Sequence, residues 1–214
     1  MGIRSKSANA DTLGTILDKL KSDALPVVKK MKAKARQNTL SGVDAWYQAS
    51  YDVFTGGPRK TLADFIIVIG HAYSWLPRNN PAACPTKAEF REFREAIETM
   101  RKHGARPGAG RKRNDHRKIL IEKTRAALKI NSPNSIVTVS KVLHFWNPSL
   151  APMIDANVVD ALRVIAVSQS QSPSLEGYLE YWDLADRLGT RSANHSLGIC
   201  DYRRLDELLF QLRR

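Results

Sequence analysis

Between Thr61 and Leu76 the chain reads TLADFIIVIGHAYSWL, and a helix drawn through the centre of this stretch has no polar face. Its apolar run, Phe65 to Ile69, is far too short to span a bilayer. The rest of the chain must therefore shield it from water, and a helix apolar all round belongs in the middle of a globule. That expectation sets the architecture: one buried helix with others packed around it. Gly56, Gly57 and Pro58 end whatever precedes it, Thr61 is placed to cap it, and Pro77 stops it.

The other segments supply helices for that packing. Ala10 to Leu20 carries Leu13, Ile16, Leu17 and Leu20 at helical spacing. Pro26 opens a second, very basic helix through Lys29, Lys30, Lys32, Lys34 and Arg36. Residues 42–54 place Tyr47, Tyr51 and Phe54 on one face, with Trp46 beside them. Thr86 starts a helix bearing Phe90, Phe93, Ile97 and Met100, which breaks at Gly104. Helices are further expected over about 118–129, from Ser135 to Trp146, from Asp155, over 172–188 and from a cap at Asp201. No stretch alternates as a half-buried strand would, and no repeat is visible. The expected fold class is all-α: a loose N-terminus over residues 1–9, then a single helical domain over 10–214, or two lobes flanking a cleft.

Charge narrows the partners. The 214 residues hold 34 Lys and Arg against 21 Asp and Glu, a formal charge of +13 with a pI near 10.0. Such a surplus attracts polyanions through counterion release, and double-stranded DNA is the expected partner. No strongly amphipathic basic helix is laid out for a bilayer surface, and the first residues contain no apolar signal-peptide core, so a cytoplasmic protein is expected. Cys84 and Cys200 form neither a metal-ligand spacing nor a disulfide framework, and no metal or other cofactor is expected.

One tract concentrates the charge. Residues 101–118, RKHGARPGAGRKRNDHRK, hold eight Lys or Arg, one acid and three Gly. Gly108-Ala-Gly110 followed by Arg-Lys-Arg lacks the rest of a phosphate-binding P-loop. A Gly-rich basic loop can follow DNA phosphates through side chains and backbone amides. Arg106, Arg111, Lys112, Arg113, Arg117 and Lys118 are the expected DNA contacts, and a solvated loop is the bland alternative.

The chemistry is expected elsewhere. From Ser135 to Arg163 the sequence reads SIVTVSKVLHFWNPSLAPMIDANVVDALR. Ile136, Val139, Leu143 and Trp146 share one helical face, Lys141 and Phe145 another, and Ser135 can cap the start. Asn147 and Pro148 stop the helix, Pro152 stiffens a short link, and Asp155 stands at the mouth of the next helix, with Val158, Val159, Leu162 and Ile165. A helix with Ser-Lys, a Pro-bearing link and Asp before the next helix resembles the helix-hairpin-helix DNA glycosylases, closest to the branch with an 8-oxoguanine-glycosylase-like fold. The resemblance covers this stretch alone. The family's Gly-rich hairpin has no counterpart, since neither Lys129–Ser135 nor Asn147–Pro152 contains Gly, and Lys141 lies nearer to Asp155 than is usual in the family. The two cysteines are too few for the iron–sulfur cluster that some glycosylases carry.

The resemblance implies a catalytic role for Asp155 and, in some members, a nucleophilic one for the upstream Lys, here Lys141. Position alone makes Asp155 an N-cap, a role compatible with catalysis. Lys141 is a phosphate contact, a pocket wall or a nucleophile. A flipped base needs stacking partners. Phe145, one turn from Lys141, is the first candidate; Trp75 and Trp182 follow, and His144 could hydrogen-bond the base. Core packing is the competing reading for all of these aromatics. The expected activity is excision of a modified or damaged base without strand cleavage. The nearest-looking branch implies a damaged purine as substrate; the departures around the hairpin imply a specialised member, such as one acting on hypermodified bases of phage DNA in antiviral defence. The alternative is a non-enzymatic DNA- or RNA-binding protein whose Asp155 only caps a helix.

Overall fold

Two short polar motifs start two of the helices by the same device. The Thr61 hydroxyl accepts the Asp64 amide at 3.1 Å while the Asp64 carboxylate accepts the Thr61 amide at 2.9 Å. Thr86 and Glu89 repeat the exchange at 3.2 and 2.7 Å. Each capping box satisfies two backbone donors that a helix start otherwise leaves open. The computed structural model describes residues 10–37, 45, 49, 60–74, 84–104, 110–130, 135–164, 174–192, 197, 199 and 201–212.

The elements are α1 (Ala10–Lys19), a π-helical turn (Leu20–Ala24), α2 (Leu25–Arg36), α3 (Leu62–Ser74), α4 (Lys87–Gly104), α5 (Gly110–Leu128), α6 (Ile136–Trp146), α7 (Ala156–Val164), α8 (Leu175–Ser192) and α9 (Tyr202–Leu212). Among the described residues there is no strand, as expected for an all-α chain. The helices share one core, so the two-lobed alternative is not adopted. The expected helix over 42–54 and the N-terminal residues 1–9 lie outside the described residues, apart from helical Ala45 and Ala49.

α4 and α5 lie side by side, joined by ion pairs from Lys123 to Glu92 at 2.7 Å and from Lys129 to Glu89 at 2.5 Å. α3 rests on α6. Phe65 of α3 stacks on Phe93 of α4 at 4.3 Å and meets the edge of Trp146 of α6 at 5.6 Å. Each such buried ring contributes about 1.5–3 kcal/mol through lost water contact. α9 packs on α7, α8, α2 and the π-helical turn, closing the other side of the core.

Three expectations are corrected. The segment expected at the centre is not central: α3 buries Phe65, Val68, Ile69, Ala72 and Tyr73 but exposes Ile66 by 38% and Ile67 by 59%. The enclosed helix is α6, where every residue but Val137 is buried. Second, the basic tract is not a loop. Residues 101–104 end α4 and α5 begins at Gly110; only 105–109 lie outside the described residues. Third, Ser135 does not cap α6. It already has helical angles, φ −64 and ψ −12, and its buried hydroxyl makes no cap hydrogen bond.

Candidate functional site

After Trp146 the chain becomes extended at Asn147, with φ −159 and ψ 106. It then turns, the Leu150 amide bonding the Asn147 carbonyl at 2.9 Å. Residues Leu150 to Asp155 are buried without regular structure, so their backbone groups need partners from side chains. α6 supplies two. The Ser140 hydroxyl accepts the Ile154 amide at 3.1 Å and lies 3.1 Å from the Ile154 carbonyl and 2.9 Å from that of Val137, to one of which it donates. His144 donates from Nδ1 to the Ala151 carbonyl at 2.9 Å. α8 supplies the third, the Tyr178 hydroxyl donating to the Pro152 carbonyl at 2.8 Å. The link is thereby held from two sides, and so is the place where α7 starts.

Asp155 sits at that start. Its Oδ1 accepts the amides of Asn157 at 2.9 Å and Val158 at 3.0 Å, the full N-cap arrangement. Its other oxygen, Oδ2, lies 3.7 Å from Lys141 Nζ, an ion pair too long to be a direct hydrogen bond. Lys141 is 4% exposed and Asp155 9%, so the pair is enclosed among the described residues. Burial pushes the Lys141 pKa below its ordinary value, and the charges of Asp155 and Asp206 pull it back up. Asp206, on α9, is itself buried, as is Tyr181 of α8. Burial, with the charge of Asp206 next in weight, holds the Tyr181 phenol well above its usual range. A lysine, two carboxylates and a phenol, on α6, at the start of α7, on α8 and on α9, are therefore within electrostatic reach of one another. The sequence reading paired Lys141 with Asp155 but missed Asp206 and Tyr181, which lie far along the chain and carry no local signal.

The described residues among the expected base contacts, Phe145, His144 and Trp182, are inside the protein. Phe145 is fully buried, with the His71 ring edge-on at 4.5 Å, so it is a core residue and not an exposed stacking face. His144 is fully buried, and desolvation lowers its pKa to about 4, so its ring is neutral and engaged with Ala151. Trp182 is fully buried and donates from Nε1 to the Tyr202 hydroxyl at 3.1 Å. Trp75 lies outside the described residues. An open groove of about 440 Å³ along α4, lined among others by Phe90, Arg94, Glu98 and Lys102, is elsewhere.

The expected DNA contacts divide. Arg117 is 2% exposed: it donates to Asp183 and Asp186 at 2.5 Å each, and its guanidinium lies 4.8 Å over the Trp182 ring. Arg113 reaches the same two carboxylates at 2.9 Å. The Tyr202 hydroxyl donates to Asp186, drawing α9 into the clasp. Arg117 is thus a structural residue, and Arg113 is largely occupied. Arginines four apart on α5 facing aspartates three apart on α8 are a complementary spacing visible in the sequence, though nothing local says that these helices meet. Lys118 is exposed. Arg111 and Lys112 belong to the first turn of α5, and their side chains, like Arg106 entirely, lie outside the described residues.

Among the described residues no group of three or more His, Cys, Asp or Glu side chains could hold a metal ion, and no helix is long and apolar enough to cross a membrane. Comparison with family models, with curated proteins and with solved structures returned no match to this chain.

Proposed function

We propose that this protein is a DNA glycosylase of helix-hairpin-helix type that flips a modified or damaged base and hydrolyses its N-glycosidic bond. The observation that carries the reading is the Asp155 carboxylate, anchored by two backbone amides at the start of α7 and set 3.7 Å from the buried Lys141 ammonium. As the bond from C1′ to the base nitrogen breaks, the sugar becomes oxocarbenium-like. A fixed carboxylate stabilises that charge and can take a proton from the water whose oxygen bonds C1′. The departing base keeps the bonding electron pair and is protonated, leaving an abasic site. Lys141 orients Asp155 as its ion partner; because Asp155 can activate a water we favour excision by water over Schiff-base formation, although burial moves the Lys141 pKa down, the direction a nucleophile needs. Because the pair is enclosed, the reading requires a wall of the site to move when DNA binds. Two substrate classes are open by analogy: damaged purine, from the nearest-looking branch, and hypermodified bases of phage DNA in antiviral defence, from the departures around the hairpin.

The enclosure itself favours a second reading. A carboxylate that completes an N-cap and pairs with a buried lysine has a sufficient structural role, and the protein would then bind DNA without chemistry.

Asp155→Asn separates the two. Asn caps about as well as Asp, and Asp206 still supports the Lys141 charge, so the variant is expected to lose some stability but to fold and bind DNA, which thermal unfolding and a binding assay check. A neutral amide cannot offset the sugar charge, so abasic-site formation should slow about a hundredfold to a thousandfold. Excision at the wild-type rate by the variant would remove Asp155 from the chemistry. Failure of the wild type to release base from any modified duplex, phage DNA with altered cytosines included, would leave the binding protein. Borohydride trapping of a covalent adduct that disappears in Lys141→Ala would replace water by Lys141 as nucleophile.

A further inference from the structure

The basic surplus has a second concentration, on α2. From Lys19 to Arg36 the chain holds seven Lys or Arg and a single acid, Asp23. α2 turns Val28 and Leu25 into the core, and Lys29, Lys30, Lys34 and Arg36 are exposed on its outward half. Lys30 and Lys34 are four apart, and like charges at that spacing oppose helix formation. At about 1.5 Å per residue, Lys29 and Arg36 lie roughly 10 Å apart along the axis, comparable with about three phosphates of one strand at 3.4 Å each. Lys32, at the edge of this face, is held by Glu207 of α9 at 3.0 Å. The other basic tract differs. Arg113 and Arg117 there are turned inward onto Asp183 and Asp186, which removes much of the charge expected to meet a polyanion.

We infer that the outward face of α2, through Lys29, Lys30, Lys34 and Arg36, is a docking surface for the phosphate backbone of duplex DNA. The inference rests on the proposal that the protein binds DNA; it adds where, and holds whether or not Asp155 does chemistry. Four exposed cations on one helix face, with no acid among residues 29–36, complement a regular row of phosphates. Side chains on a smooth helix reading phosphates supply affinity and orientation with little sequence preference.

The test compares the wild type with a variant carrying Lys29→Ala, Lys30→Ala, Lys34→Ala and Arg36→Ala. Fluorescence anisotropy follows binding to a short labelled duplex across roughly 50–200 mM salt. Alanine is the best helix former, so α2 is expected to persist, and circular dichroism checks this. Each lost phosphate contact lowers the slope of log affinity against log salt by about 0.9. The variant should therefore lose about 3–4 from that slope and at least about tenfold in affinity, while Lys→Arg replacements at the three lysines keep both. A folded alanine variant with the wild-type slope and affinity would overturn the α2 surface and leave DNA binding itself intact. A wild type that binds no DNA would overturn both, and binding to phosphatidylserine vesicles in its place would assign the face to a membrane surface.

Discussion

α3 and α6 lie against each other, and the two helices have exchanged the roles that their compositions suggest. α3 is nearly all apolar, yet Ile66 and Ile67 face outward. α6 carries Thr138, Ser140, Lys141 and His144, and all four are buried. The difference lies in what each helix touches. α3 has the aromatic cluster of α4 and α6 on one side, and its buried residues, Phe65, Val68, Ile69 and Ala72, fall at the spacing of one helical stripe. α6 is enclosed by α3, by α5 and by the link from Leu150 to Asp155, and the link brings polar partners for Ser140, Lys141 and His144. Buried polar groups are costly only when unpaired. Apolar composition thus says that a helix can be buried; matched neighbours decide which one is.

The largest effect is expected at the apolar side of α6. Leu143 is fully buried, and Leu143→Ala should cost about 2–5 kcal/mol, measured by urea unfolding. A loss below that range would mean that α6 is less tightly enclosed than the contrast with α3 requires.

His144 tests the polar side. Desolvation holds its folded pKa at about 4, against roughly 6.5 in an unfolded chain. Between those values the unfolded chain binds the proton and the folded one does not, so stability falls as pH falls through that window. At about 1.36 kcal/mol per pH unit the full loss approaches roughly 3 kcal/mol. Unfolding of the wild type and of His144→Gln at neutral pH and near pH 4.5 isolates this contribution. The gap between the two proteins should narrow or reverse on acidification, and a pH-independent gap would mean that the imidazole is solvated.

The smallest effect belongs to α3. Ile67 is 59% exposed, and Ile67→Ala should change stability by no more than about 0.5 kcal/mol. A loss comparable with that of Leu143→Ala would show the face to be covered in solution and would erase the contrast.

Local chemistry was readable wherever a few adjacent residues decide the outcome. The starts at Thr61 and Thr86 were legible, as was Asp201, whose carboxylate accepts the Arg204 amide at 2.9 Å. So was Asp155 at the mouth of α7. Periodic apolar positions also marked α1, α4 and α9, where Leu13, Phe93 and Leu208 are buried as expected. These signals work because caps and helix faces are settled within one or two turns of the chain.

What the chain alone determined, then, is the all-helical class, most helix starts, the basic balance and the short Pro-bearing link that brings Asp155 back towards Lys141. Tertiary structure decided that α6 and not α3 is enclosed, because an all-apolar stretch has no period from which to read its inward face. It decided that Phe145 packs on His71. It turned Arg113 and Arg117 inward, because their carboxylate partners lie about seventy residues further along, on α8. It also added Asp206 to the neighbourhood of Lys141 from a helix at the far end of the chain. Burial and ion pairing are sums over neighbours in space, and a sequence lists neighbours only along the chain.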